Sequence, residues 1–172
     1  MLLNIAPRIV VMGVSGCGKS TVGQALAHHL RLSFVEGDHL HPPHNVALMG
    51  AGVALTDADR QGWLEAVAAV LADAQGQGVV VSCSALKRSY RDLLRASAPD
   101  LRLVHLHGAP DLLVQRMHAR NGHYMPASLL QSQLDTLQWP AADEAAVMVD
   151  IAGTSEDIVR AVLRELDLPL PT

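Results

Sequence analysis

Eight residues at 13–20, GVSGCGKS, carry the most specific chemistry in this 172-residue chain. They match G-x-x-x-x-G-K-[ST], a turn whose backbone N–H groups point inward at phosphate oxygens. The bare pattern arises by chance in a chain this long on the order of once in a hundred sequences or less. Gly13, Val14, Ser15, Gly16, Cys17, Gly18, Lys19, Ser20 and Thr21 would together cradle the phosphates of ATP, at the positive end of the helix that begins near Lys19. Lys19 is expected to reach the β- and γ-phosphates, and the Ser20 hydroxyl to ligate Mg²⁺. Cys17 contributes its backbone N–H rather than its thiol, so its side chain leaves the cradle intact.

A second group follows at 36–45, EGDHLHPPHN. Asp38 falls just past a short apolar run, where a carboxylate could orient an attacking hydroxyl, take its proton or hold Mg²⁺ through water. His39, His41 and His44 invite a metal reading. Their spacing is not that of a helical i, i+4 pair, Pro42 and Pro43 stiffen the loop, and no cysteine stands nearby to complete a shell. His41 reads instead as a substrate contact or a structural loop residue.

Cations recur further on. Lys87, Arg91 and Arg95 stand at four-residue steps, on one face of an expected helix, and Lys87 and Arg91 are candidate contacts to an anionic acceptor. Arg116 and Arg120 are four apart near another helix end, where guanidinium groups could close over a transferring phosphoryl group. Arg60 could pair with Asp57 or Asp59, or reach the substrate. The candidate catalytic set is Lys19, Asp38 and Arg120, with Arg116 on the ATP.

These groups need elements to hold them. Apolar runs at 8–12, 33–36, 79–84, 101–106 and 147–151 alternate with helical periodicity at 19–30, 57–74, 87–96, 110–119 and 154–166. The runs are nearly continuous, as strands of a parallel sheet covered on both faces must be. The expected fold is therefore α/β, with ligands gathered at the carboxyl edge of a five-stranded parallel sheet. Residues 120–143 lack a strand pattern but hold a helical segment at 127–137, and read as a lid inserted in a single domain spanning 1–172.

Composition excludes several classes. Hydrophobic residues make up 49% and charged residues 17%, enough apolar material for a core and unlike a disordered chain. Only 3% is aromatic and the net charge is −4, which disfavours a nucleic-acid or membrane-surface binder. Neither a signal peptide nor a long apolar span is visible, so the expected location is cytosolic. Cys17 and Cys83 are too few for a disulfide framework, and Cys83 is expected to be buried in a strand. Guanine-reading and switch motifs of GTPases are absent, as is the acidic strand end of motor ATPases, which leaves a compact small-molecule kinase.

The blocks GVSGCGKST, GDHLHPPHNVALM, LTDADRQGWL, SCSALKRSYRDLLR and RNGHYMPASLLQSQLDTLQWP, in this order over most of the chain, resemble the bacterial-type gluconokinases. The resemblance implies transfer of the ATP γ-phosphoryl group to the 6-hydroxyl of D-gluconate, a fold like that of nucleoside monophosphate kinases with a helical lid, and a homodimer. It also implies that His123 and Gln133 belong to the site. Gln138 stands where the family often has Glu, so a role for that carboxylate would be lost. Alternatives are a shikimate or nucleoside monophosphate kinase, or a non-catalytic ATP-binding regulator.

Overall fold

The computed structural model describes residues 6–120, 126 and 128–171. Strands β1 (Arg8–Met12), β2 (Ser33–Glu36), β3 (Val79–Ser82), β4 (Arg102–His107) and β5 (Val147–Asp150) form one parallel sheet in the order β2-β3-β1-β4-β5. Val10 sits at the centre, between Val81 of β3 and Leu103 of β4. Both β1 and β3 are buried along their whole length, which is why both read as unbroken apolar runs. The edge strands β2 and β5 are partly exposed.

Among the described residues the helices are α1 (Lys19–Leu30), α2 (Pro43–Gly50), α3 (Asp57–Asp73), α4 (Arg88–Ser97), α5 (Pro110–His118), α6 (Leu129–Thr136) and α7 (Ser155–Glu165). None is long and apolar enough to cross a membrane. Their buried faces supply the core: Val22 and Leu26 of α1, Trp63, Leu64, Val67 and Leu71 of α3, Leu94 of α4, and Ile158, Val162 and Leu163 of α7. Each such side chain contributes about 1.5–3 kcal/mol on full burial. Sharp starts come from capping boxes, Thr56 with Asp59 for α3 and Thr154 with Asp157 for α7.

Helix α2 departs from the expected loop at Pro42 and Pro43. Pro42 takes the N-cap with an extended backbone, and Pro43 opens the first turn, where a missing N–H removes no helical hydrogen bond. A small cluster of Met49, Leu55 and Leu129, with Leu48 against it, knits α2 to α6 apart from the main core. Strand β3 stops at Ser82, so Cys83 is buried just past the strand rather than within it, and burial pushes its thiol up to about 12. The helix expected at 127–137 is observed as α6, with residue 127 outside the described residues.

Candidate active site

The turn after β1 threads between β4 and α5. Gly13 has φ +144°, and a Cβ there would lie 2.6 Å from the Leu106 carbonyl oxygen and 2.7 Å from Cys17 Sγ, so no side chain fits. Gly18 caps α1 in the left-handed conformation at φ 90°. The loop's N–H groups thus lead into the N-terminus of a 12-residue helix, the arrangement that binds phosphate. Cys17 is buried beneath the loop, and Lys19 Nζ donates to the Val14 carbonyl at 3.1 Å.

Two cavities flank this turn. The first is lined by Gly16, Gly18, Ser20, Thr21, Arg116 and Arg120, together with the 153–155 segment that opens α7. Arg116 Nη2 donates to the Ile151 carbonyl at 2.7 Å, which ties the guanidinium to the end of β5. Arg116 and Arg120 thus line the same cavity as the phosphate-binding turn, which puts two cations beside it. Ser20, in the first turn of α1, lines the same cavity with a hydroxyl whose chemistry suits a Mg²⁺ ligand.

The second cavity opens on the other side, lined by Ser15, Lys19, Asp38, His41, Arg60 and Gln133 and walled by Met49, Leu55, Leu86 and Leu129. The close packing of Gly37 fixes Asp38 at its position. A Cβ on Gly37 would fall on the Ser82 carbonyl oxygen, while the Gly37 N–H donates to Ser82 Oγ at 3.2 Å and the Trp63 indole donates to the Gly37 carbonyl at 2.8 Å. The Ser82 hydroxyl in turn donates to Glu36. Asp38 therefore sits in a one-turn 3-10 helix, Gly37–Leu40, braced by β3 and α3.

His41 lies flat on Trp63, with ring centres 4.2 Å apart and 15° between planes. Asn45 Nδ2 donates to the Asp59 carbonyl at 2.8 Å, which orients the amide and makes Nδ2 the donor to His41 Nδ1 at 3.2 Å. Burial lowers the His41 pKa to about 4, against a smaller upward pull from Asp38. The neutral ring then carries its proton on Nε2, as a hydrogen-bond donor.

Several expected site residues are placed elsewhere. Arg91 is fully buried, its guanidinium bonded to Glu144 at 2.6 and 3.0 Å and to the carbonyls of Ala85 and Leu86, so it joins chain segments and cannot meet a solvent-borne acceptor. Lys87 donates to both Asp57 oxygens at 2.9 and 3.1 Å and does not line the acceptor cavity. Arg95 donates to the Glu144 carbonyl. His123 lies outside the described residues. His39, His41 and His44 do not converge: His44 faces Asp59, and no three His, Cys, Asp or Glu among the described residues gather as a metal site.

Other residues gain a place. Arg60 lines this second cavity and donates to the Tyr90 hydroxyl, while its charge also acts on Asp57 and Asp59. Gln133 of α6 accepts the Ser15 N–H at 2.7 Å, linking the helical insertion to the phosphate turn. Gln138 keeps a role without a carboxylate, since its Oε1 accepts the Arg88 N–H at the start of α4. Sequence reasoning passed over Trp63 and Asn45. Trp63 lies three residues after Arg60, on the same helical face, and that spacing was the available signal.

A family model described as shikimate kinase matches residues 15–167. The chain is 49% identical over 165 residues to a gluconokinase of Gluconobacter oxydans (strain 621H), covering 94% of this chain and 93% of that protein. It is 43% identical to the thermoresistant gluconokinase of Escherichia coli (strain K12), over 90% of each. A crystal structure of a gluconokinase from Sinorhizobium meliloti 1021 aligns with a TM-score of 0.87 at 53% identity, over 95% of this chain and 93% of that one. An APS kinase from Mycobacterium tuberculosis, at 17% identity and a TM-score of 0.67, shares the fold.

Proposed function

Because the chain belongs to the gluconokinase family, within the wider domain family described as shikimate kinase, we propose that it transfers the ATP γ-phosphoryl group to the 6-hydroxyl of D-gluconate. The observation that carries the acceptor assignment is the cavity beside the phosphate turn, which places Lys19, Asp38 and Arg60 on one wall system. Gluconate has a carboxylate at one end and a primary hydroxyl at the other. Arg60 suits the carboxylate, through a charge-assisted fork of N–H donors, and Asp38 suits the hydroxyl.

In this reading Asp38 orients the acceptor hydroxyl and receives its proton as the new O–P bond forms and the bond to the β-phosphate oxygen breaks. Lys19 faces the charge that develops on the transferring group, and Arg116 and Arg120 meet it from the nucleotide side. His41 Nε2–H and Gln133 hydrogen-bond the intermediate hydroxyls. Ser20 Oγ would hold Mg²⁺, with Asp38 reaching it through water, and the ion would supply positive charge to the phosphates.

The same proposal treats the segment at about 120–143 as a lid on one domain and puts the enzyme in the cytosol, where the buried thiols of Cys17 and Cys83 stay reduced. It extends to a homodimer, supported by the exposed Met148 of edge strand β5 and the exposed Trp139, whose ring meets His105 and His107 of β4; analytical ultracentrifugation at micromolar concentration should give twice the chain mass. The substrate assignment is tested by ADP release across gluconate, shikimate and nucleoside monophosphates. Turnover with gluconate is expected, and turnover with shikimate alone would overturn the assignment.

A further inference from the structure

Arg60 lines the acceptor cavity from α3 on a long side chain, and fixing such a chain costs rotamer freedom. The neighbouring residues remove that freedom in advance. Arg60 Nη1 donates to the Tyr90 hydroxyl at 3.1 Å, and its guanidinium carbon lies 5.7 Å from the centre of the Tyr90 ring. The Tyr90 hydroxyl donates its one proton to Asp57 Oδ1, and Lys87 Nζ holds both Asp57 oxygens.

The direction of these bonds matters. A hydroxyl has one proton and two lone pairs, so with its proton committed to Asp57 the Tyr90 oxygen presents a lone pair to Arg60. The Tyr90 hydrogen bond, followed by that of Lys87, holds Asp57 below the usual carboxylate range and keeps it an acceptor. The Tyr90 ring is buried at 5% exposure in the main core, so the hydroxyl is delivered from a rigid base.

We propose that Tyr90, oriented by Asp57 and Lys87, is a positioning residue that aims Arg60 at the carboxylate of the acceptor and so sets the preference for acidic over neutral polyol acceptors. The inference rests on the reading of Arg60 as the carboxylate's partner. It gives Lys87 its place as the far end of a relay: Lys87 to Asp57, Asp57 to Tyr90, Tyr90 to Arg60.

Tyr90→Phe deletes the hydroxyl and keeps the buried ring, so the fold is preserved. Its KM for gluconate should rise about tenfold, the loss expected for one hydrogen bond to a charged group, with kcat and the KM for ATP unchanged. D-glucitol has the same carbon chain without the carboxylate. Its use should be unaffected, so the preference for gluconate over glucitol falls by the same factor.

Arg60→Met separates the two levels of the claim. That variant should lose more of the gluconate preference than Tyr90→Phe, and Tyr90→Phe should add nothing in its background. A gluconate KM unmoved by Arg60→Met overturns the reading of Arg60 as carboxylate partner. If Arg60→Met raises KM and Tyr90→Phe does not, that reading stands and the positioning inference fails. An equal loss by Tyr90→Phe toward gluconate, glucitol and ATP would mark a structural role only and also overturn it.

Discussion

Asp38 should be the most consequential single side chain for the chemical step. Asp38→Asn keeps the shape of the pinned 3-10 turn but removes the basic oxygen, so kcat should fall roughly 10²- to 10⁴-fold while ATP binding is retained. Rapid-quench turnover alongside calorimetric ATP binding measures both. Two histidines make a different prediction, about stability. His41 and His105 are both desolvated and held near a pKa of about 4, and His105 Nδ1 has no hydrogen-bond partner among the described residues. In the unfolded chain each takes up a proton below about 6.5. The unfolded state therefore binds more protons between about pH 6.5 and 4, and stability should fall as pH drops through that window, these two groups adding no slope above it. Urea unfolding at pH 7.5 and 5 reads this directly, and His105→Leu should flatten part of the slope. The phosphate turn and Asp38 were legible in sequence because their chemistry depends on residue type at fixed spacing. Arg91 was misread because a basic residue at helical spacing looks the same whether its partner is a ligand or Glu144, which lies 53 residues away in the chain.

Elements show the same contrast between local and distant information. Helices α1, α3 and α7 announce themselves through apolar spacing and their caps, whereas α2 was hidden by two prolines that mark a helix start as readily as a loop. Helix α4 depends on contacts from far along the chain. Its first N–H is accepted by Gln138, and Arg88 makes a two-bond pair with Asp143 at 2.9 and 2.7 Å. Gln138→Glu should therefore stabilise the protein, by about 0.3–1 kcal/mol, through a charge at the helix N-terminus, and Tm should rise accordingly. Removing the tie from the centre of α4 has the opposite sign and greater size. Arg91→Met leaves the Glu144 carboxylate buried without its partner and should cost roughly 3–5 kcal/mol in urea unfolding. The gluconate KM of whatever remains folded should change little, since Arg91 does not line the cavity.

Across the whole molecule, charge is distributed more subtly than the net value of −4 suggests. Seven of the 13 basic residues fall between positions 87 and 120, alongside only three acids, a concentration that first reads as a ligand-facing band. In the folded chain most of it is internal wiring. Lys87 serves Asp57, Arg88 serves Asp143, and Arg91 and Arg95 serve Glu144. Arg116 and Arg120 line the cavity on one side of the phosphate turn, and the proposed acceptor cavity on the other takes its cations from Lys19 and Arg60, which lie outside that band. The sheet brings these together from positions 41 residues apart, which spacing alone does not reveal. In the proposed reading the acceptor cavity has a polarity, carboxylate toward Arg60 and reacting hydroxyl toward Asp38. The most direct test is ³¹P and ¹³C NMR of the product formed from ATP and D-gluconate. Phosphorus coupled to C6 is the predicted result; no phosphorylated gluconate, or phosphate on a hydroxyl beside the carboxylate, would contradict it.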